Sequence, residues 1–148
     1  MKKPTDDAIE PGEVNSKTYW DYRFSNDWEE NFGREQSMFF SDVAADNIPA
    51  WLITLINSQN LTMCDWGCAQ GDGTQNLAKR LSLPSLVGVD FSPEAIEKAT
   101  AAYPQCTFVC DNFLSESKSE VWDVLFSSNT LEHFNSPWEV LSQISSKA

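Results

Sequence analysis

Short apolar runs alternate with amphipathic segments along the second half of this 148-residue chain. Helix-compatible stretches separate the first three runs, and one of them begins at Ser92, which with Pro93 forms a good helix start. Alternating strands and helices of this length predict right-handed crossovers and a parallel sheet of about four strands. The apolar runs that predict these strands cover residues 61–64, 86–89, 107–110 and 121–126.

The first half of the chain predicts helices that precede the sheet. Aromatic side chains crowd residues 19–28, where Trp20 and Phe24 stand at the i, i+4 spacing of one helix face. This cluster either anchors a helix on the sheet or forms a lid over a ligand, with Trp20 or Arg23 reaching that ligand. Two more helices are predicted over 35–45 and 48–56. The apolar face expected for 35–45 consists of Met38, Phe39 and Val43.

The chain also predicts a final helix, over residues 136–147. Ser136 and Glu139 match a capping box, and Pro137 occupies the first helical position. The resulting division has three parts. Residues 1–15 form a polar, mobile tail, 16–60 form a helical lid or cap segment, and 61–148 form the α/β domain.

A glycine-rich turn after the first strand is the most informative motif of the chain. Gly67 and Gly71 flank the small residue Ala69, directly after Asp65. Glycines let the backbone approach a nucleotide-like cofactor, and the following helix offers its free N–H groups. Asp90 ends the second strand about 20 residues after Gly67, which is where an acid can accept from both ribose hydroxyls.

The charges around this turn discriminate between cofactors. A dinucleotide places a pyrophosphate on the helix N-terminus, where Asp72 would repel it. A cationic sulfonium compound tolerates Asp65 and Asp72 far better. S-adenosyl-L-methionine is therefore favoured over NAD, and NAD remains the alternative.

Four segments then resemble, in the right order, motifs of the class I S-adenosylmethionine-dependent methyltransferases: 65–71, 87–92, 110–111 and 128–134. One departure is Ala69, where many members of that family carry glycine, but alanine is also small. The resemblance implies a Rossmann-like doubly wound parallel sheet. It also implies transfer of a methyl group to a small-molecule acceptor, such as a sugar, a lipid-linked molecule or a metabolite.

The resemblance further implies a role for each matching residue. Asp65 would lie near the methionine amino group of the cofactor, and Asp90 would bind the ribose. Phe91 would pack on the adenine, and Asp111 would accept from its amino group. Ser127 and Asn129 would lie near the methionine portion and the transferred methyl. The full expected cofactor-binding set is Asp65, Gly67, Cys68, Ala69, Gly71, Asp90, Phe91, Asp111, Asn112, Phe113, Ser127 and Asn129.

The one histidine, His133, is the obvious candidate for a general base. A structural or cofactor-side role is the favoured interpretation, and proton transfer is the alternative. A carboxylate beside it, Glu132, is expected to be a solvated charge.

Paired cysteines suggest a zinc site, but a plainer interpretation is stronger. Cys64 and Cys68 are spaced like one half of such a site, and Cys106 and Cys110 like the other. Cys64 and Cys110 fall within predicted strands, where cysteine behaves as a small buried hydrophobe. No metal and no disulfide are therefore predicted.

Charge and length limit the function further. A net charge of −12 disfavours nucleic acid as a partner. No apolar stretch approaches ~18 residues, and the N-terminus lacks a signal-peptide core, which together favour a cytoplasmic protein. The family's sheet usually has seven strands, so a truncated chain is expected. Its fourth strand would be an exposed edge. Besides the oxidoreductase, a non-catalytic fragment that self-associates through this edge is an alternative.

Overall fold

A computed structural model of the chain describes residues 13–115, 121–146 and 148. Its four strands form one sheet in the order β3-β2-β1-β4, and every pairing is parallel. The chain moves outward from β1 to β3 and then returns to the other side of β1 for β4, so the sheet is doubly wound. The predicted α/β fold is confirmed. The strands are β1 (Met63–Trp66), β2 (Leu86–Asp90), β3 (Thr107–Cys110) and β4 (Val124–Phe126).

Six helices and one 3₁₀ turn accompany the sheet in the described residues. Ser92 caps α5 as expected, because its hydroxyl accepts from the N–H of Ala95 at 3.2 Å. The 3₁₀ turn, Leu131–His133, follows β4. The helices are α1 (Lys17–Asn26), α2 (Gly33–Asn47), α3 (Ala50–Gln59), α4 (Asp72–Leu81), α5 (Pro93–Ala102) and α6 (Pro137–Ser145).

The two faces of the sheet bury different helices. Side chains alternate along a strand, so neighbouring residues of β1 point to opposite faces. Met63 packs with Ile56 of α3 and Leu77 of α4. Cys64 and Trp66 belong instead to the cluster that contains Val140 and Ile144 of α6. The sheet therefore separates two hydrophobic clusters, one on each face.

The predicted apolar face of α2 was wrong. Phe39 is 61% exposed and Val43 is 45% exposed. The helix turns a polar face toward α4 instead, where the Asn76 amide donates to Ser41 Oγ at 2.8 Å and to Asp42 Oδ1 at 2.7 Å. These hydrogen bonds between side chains of two helices fix the rotation of α2, which no periodicity within α2 could reveal.

The last strand and the last helix begin differently from their predictions. β4 starts at Val124. Directly before it, the Asp123 carboxylate accepts from the N–H and the hydroxyl of Thr62, both at 2.8 Å, so side-chain hydrogen bonds replace the backbone pairing with β1 at this point. Ser136 precedes α6, but its side chain makes no capping hydrogen bond. Cys110 is exposed rather than buried, since it lies at the end of the edge strand β3.

Residues 1–12 lie outside the described residues, so the prediction of a mobile tail over 1–15 remains a prediction. Residues 13–16 form a turn, in which the Ser16 N–H donates to Glu13 O at 2.9 Å. In the described ranges, no single helix has the length and apolar composition needed to cross a membrane. The pair α2 and α3 meets both criteria when joined, across a bend of 92°.

Candidate functional site

The turn between β1 and α4 requires residues without large side chains. Gly67 and Gly71 both have φ +83°, and Ala69 has φ +49°, so all three occupy the left-handed region. A Cβ on Gly67 would lie 2.4 Å from Thr130 Oγ1, and one on Gly71 would lie 2.6 Å from Phe108 Cζ. The backbone of this turn is therefore packed closely against β3 and against the segment that follows β4.

Asp65 brings a buried carboxylate to the C-terminal end of β1. It is 6% exposed and accepts a hydrogen bond from the Thr74 hydroxyl at 2.6 Å. Burial raises the pKa of Asp65 to about 6, and the nearby charge of Asp90 adds to that rise. No basic side chain in the described part of the chain forms an ion pair with it.

Asp90 is the last residue of the neighbouring strand β2, two residues beyond Gly88, which pairs with Asp65. Its carboxylate accepts from the N–H of Ala69 at 3.0 Å and from the N–H of Ser92 at 2.9 Å. Burial raises the pKa of Asp90 to about 6, although these backbone donors counteract part of the rise. Asp90 therefore fixes the glycine-rich turn onto the end of β2 and is itself 5% exposed.

The residues expected after β3 occupy three different environments. Asp111 is half-buried, and its N–H donates to Asp90 O at 3.0 Å. Asn112 is exposed, and its Oδ1 accepts from the N–H of Leu114 at 3.1 Å. Phe113 lies in the core and stacks on Trp66, with ring centroids 6.4 Å apart. The structure thus joins Asp111 to the end of β2, whereas the ring of Phe113 lies in the interior.

The remaining expected residues lie around the turn and the end of β4. Cys68 is buried, and its thiol donates to Ala69 O at 3.6 Å. The Ser127 hydroxyl donates to Trp66 O at 3.1 Å, and Asn129 has φ +56°. Phe91 is half-buried, directly after β2.

A small cavity of about 60 Å³ lies beside the turn. Five of the expected residues line it, namely Asp65, Gly67, Cys68, Ala69 and Asn129. The N-terminal helical segment supplies four more lining residues that sequence analysis missed, namely Trp28, Ser37, Phe40 and Ser41. The aromatic crowding at 19–28 was a signal for Trp28, whereas the three residues of α2 carried none.

Helix α1 lies across the ends of the strands and covers the site. The ring of Trp20 meets the imidazole of His133 edge-on, with centroids 4.9 Å apart. Asp21 accepts a hydrogen bond from the Ser92 hydroxyl, and the Gln70 amide donates to Phe24 O at 3.1 Å. The helix is therefore held at both the β2 end and the β4 end of the site.

Asp72, the residue weighed against a pyrophosphate, is bonded to its neighbours. Its Oδ1 accepts from the Tyr103 hydroxyl and lies 3.4 Å from Arg34 Nε. Burial, together with the bond to Asp72, raises the pKa of Tyr103 to about 12.

Among the described residues, no cluster of histidine, cysteine, aspartate and glutamate side chains could hold a metal ion.

A sequence profile described as a methyltransferase domain matches residues 57–147. The chain belongs to this methyltransferase domain family. Trans-aconitate 2-methyltransferase of Enterobacter sp. (strain 638) is 31% identical over 70 residues, 47% of this chain and 28% of that protein. The Escherichia coli (strain UTI89 / UPEC) enzyme of the same name is 26% identical over 94 residues, which cover 63% of this chain and 37% of that protein. The chain therefore spans less than half the length of these curated relatives.

Solved methyltransferase structures share the fold. The plantazolicin methyltransferase BpumL in complex with SAH superposes with a TM-score of 0.58 at 23% identity, over 86% of this chain and 52% of that one. Magnesium protoporphyrin IX methyltransferase (ChlM) from Synechocystis PCC 6803 with bound SAM superposes with a TM-score of 0.61 at 18% identity. The match covers 94% of this chain and 74% of that one. The resemblance to class I methyltransferases is thus confirmed for the family and the fold.

Proposed function

We propose that this chain binds S-adenosyl-L-methionine and forms the cofactor-binding part of a methyltransferase that acts on a small molecule. The observation that carries the proposal is the pair of buried carboxylates, Asp65 and Asp90, at the ends of neighbouring parallel strands. Asp65 forms no ion pair with a basic side chain of the described residues. A buried carboxylate is costly unless a cation accompanies it, so this site fits a positively charged nucleoside-type ligand.

The residue roles that we propose are those that the resemblance to the family implies. Asp65 would receive the ammonium group of the ligand's amino-acid end, above the backbone of the glycine-rich turn. Asp90 would accept from the ribose hydroxyls, with Phe91 packed on the adenine. Asp111 would accept from the adenine amino group. Phe113 would support this wall from the core rather than touch the ligand, because its ring stacks on Trp66.

The segment 16–60 would act as a cap that opens and closes. Ligand pockets for molecules of drug size occupy roughly 300 Å³ or more. The cavity of about 60 Å³ and the 5% exposure of Asp90 therefore describe a closed site. Admission of an adenosine group would require α1 to move away from the β2 end. Closure again would exclude water and strengthen the site's electrostatics.

The bound cofactor would supply a methyl group that is already activated for in-line displacement. The chain's own task is then to hold the acceptor in line and to exclude water. Ser127 and Asn129, at the end of β4, would line the path to the acceptor. His133 packs against Trp20, which favours a structural or cofactor-side role, and proton removal from the acceptor remains the alternative role.

The class of acceptor is part of the proposal. Relatives and structural neighbours carry names that refer to trans-aconitate, plantazolicin and magnesium protoporphyrin IX, which differ widely in chemistry. These names do not define one class of acceptor, and we propose a small molecule because the resemblance to the family implies it. The net charge of −12 argues against nucleic acid as the acceptor, and a cytoplasmic location remains a prediction.

Calorimetry with S-adenosylhomocysteine and with NADH tests the proposal. We expect the chain to bind S-adenosylhomocysteine and not NADH. Binding of NADH alone would support the oxidoreductase alternative and overturn the proposal. Sedimentation of the same sample tests self-association through the β4 edge, because a clean monomer would contradict it.

A further inference from the structure

Trp28, which follows α1, carries a buried hydrogen-bond donor that nothing in the described residues satisfies. Its ring meets Phe24 with centroids 4.9 Å apart, and a Cβ on Gly33 would lie 2.2 Å from that ring. The indole Nε1 is removed from solvent and has no hydrogen-bond partner in the described part of the protein. A buried donor is unfavourable when it stays unpaired, and Trp28, unlike a donor enclosed in the apolar core, lines a cavity in which a ligand group would satisfy it.

The same residue lines the small cavity, whose lining also includes a carboxylate. Asp65 lines this cavity too, and so does Gly73 in the first turn of α4. The lining of the cavity therefore includes the Asp65 carboxylate, which can bind a positively charged group. Another part of the lining is Trp28, whose Nε1 is the donor that the described residues leave unpartnered. An α-amino acid group, with one ammonium and one carboxylate, complements these two groups.

We propose that the indole N–H of Trp28 donates to the carboxylate of the ligand's amino-acid end, while Asp65 receives the ammonium group. This inference rests on the proposed function and adds to it a specificity residue outside the family match at 57–147. The cavity of about 60 Å³ is large enough for a small polar group of this kind.

A second tryptophan provides a matched control. Trp122 Nε1 is also buried without a partner in the described residues. Its ring belongs to the apolar core with Cys64 and Val89, on the face of the sheet covered by α6. It does not line the cavity. Replacing Trp122 by phenylalanine thus removes an equivalent donor where no ligand is expected.

The test measures two ligands on three forms of the full chain. S-adenosylhomocysteine has the amino-acid end, whereas 5′-methylthioadenosine has the same nucleoside without it. Trp28→Phe is expected to weaken binding of S-adenosylhomocysteine by about tenfold, the scale of one hydrogen bond to a charged group. Binding of 5′-methylthioadenosine should stay unchanged. Trp122→Phe should change neither affinity.

A spectroscopic measurement on the unmodified protein complements the variants. The indole ¹H–¹⁵N resonance of Trp28 should shift downfield with S-adenosylhomocysteine and not with 5′-methylthioadenosine. Equal affinity of Trp28→Phe and wild type for S-adenosylhomocysteine, with no shift of this resonance, would overturn the assignment alone. A parallel loss for both ligands would also overturn it, because it would indicate general packing. If the wild type binds neither ligand, the proposed function fails as well.

Discussion

The ring of Trp20 rests edge-on against the imidazole of His133, with ring centroids 4.9 Å apart. The Asn15 amide, just ahead of α1, strengthens this junction by donating to His133 O at 2.6 Å. These contacts join the N-terminal helical segment to the 3₁₀ turn after β4. Because Asp21 in the same helix bonds to Ser92, α1 bridges the two ends of the site.

The junction predicts how the site opens. Trp20→Ala should weaken the closed position of α1, so the amides of Ala69 and Ser92 should exchange hydrogen faster. Association of S-adenosylhomocysteine should also become faster, since α1 limits access to Asp90. Hydrogen exchange by mass spectrometry and stopped-flow binding measure the two effects.

A matched control for this prediction is Trp51→Ala in α3. Trp51 is 67% exposed and does not line the cavity, so its loss should leave both rates unchanged. Slower hydrogen exchange or slower association of S-adenosylhomocysteine in Trp20→Ala would contradict the proposal that α1 acts as a cap over the site.

His133 can be tested separately for packing and for proton transfer. His133→Phe keeps an aromatic ring against Trp20 but cannot carry a proton. If packing is the role of His133, we expect this variant to bind S-adenosylhomocysteine like the wild type, and His133→Gln to bind it faster. Turnover is measured on the longest form of the protein that is active. A collapse of turnover in both variants, with cofactor affinity unchanged, would instead identify His133 as the base.

The sequence predicted the parts of the site that depend on local pattern. Asp65 and Asp90 were recognised because each ends an apolar run, and parallel strands bring such ends to one edge. The turn was recognised from Gly67 and Gly71, whose positive φ angles a side chain would strain. These positions depend on neighbours along the chain, so a local pattern predicts where they lie, and their role in cofactor binding stays a prediction.

The parts that were missed depend on contacts between distant segments. The rotation of α2 is fixed by hydrogen bonds from Asn76 in α4, so its apolar stripe at Phe39 and Val43 gave a false indication. Ser37 and Phe40 line the cavity for the same reason. Phe113 lies two residues after Asp111, which follows β3, so the sequence predicts a ligand contact. In the structure its ring stacks on Trp66 within the core.

Gly71 should not tolerate a side chain. Gly71→Ala would strain a residue at φ +83° and bring its Cβ to 2.6 Å from Phe108 Cζ. We expect a loss of about 2 kcal/mol or more in the free energy of unfolding, measured by urea denaturation. Gly73→Ala is the control, since Gly73 is helical and its Cβ would lie 3.3 Å from Ser37 O, a tight contact that should cost less than the strain at Gly71. Equal stability of the two variants would contradict the role of the turn.

Asp65 is expected to reduce stability in exchange for ligand binding. Asp65→Asn removes a buried carboxylate that has no cation, so the ligand-free protein should melt at a higher temperature at pH 7. Its affinity for S-adenosylhomocysteine should fall at least about tenfold, because a charged partner is lost. Asp123→Asn is the control, for which we expect the opposite change in melting temperature. Bonds from Thr62 hold the pKa of Asp123 below its usual value, so this change should lower stability and leave binding intact.

The pH dependence follows from the same two carboxyls. Burial raises the pKa values of Asp65 and Asp90 to about 6, whereas an unfolded aspartate titrates near ~3.9. Between these values the folded chain binds more protons than the unfolded chain, so this contribution to stability is complete below pH ~4 and is lost as pH rises through about 6. The gain in melting temperature of Asp65→Asn over wild type should therefore be largest at pH 7 and shrink toward pH 4.

Ligand binding should show the reverse dependence on pH. An ammonium group favours the ionised form of Asp65, so binding of S-adenosylhomocysteine should release protons and weaken as pH falls below 6. Calorimetry in two buffers of different ionisation enthalpy measures the number of protons released. In Asp65→Asn that number should fall. Affinity that increases on acidification, or proton release that is the same in the variant, would show that Asp65 does not face the cationic end of the ligand.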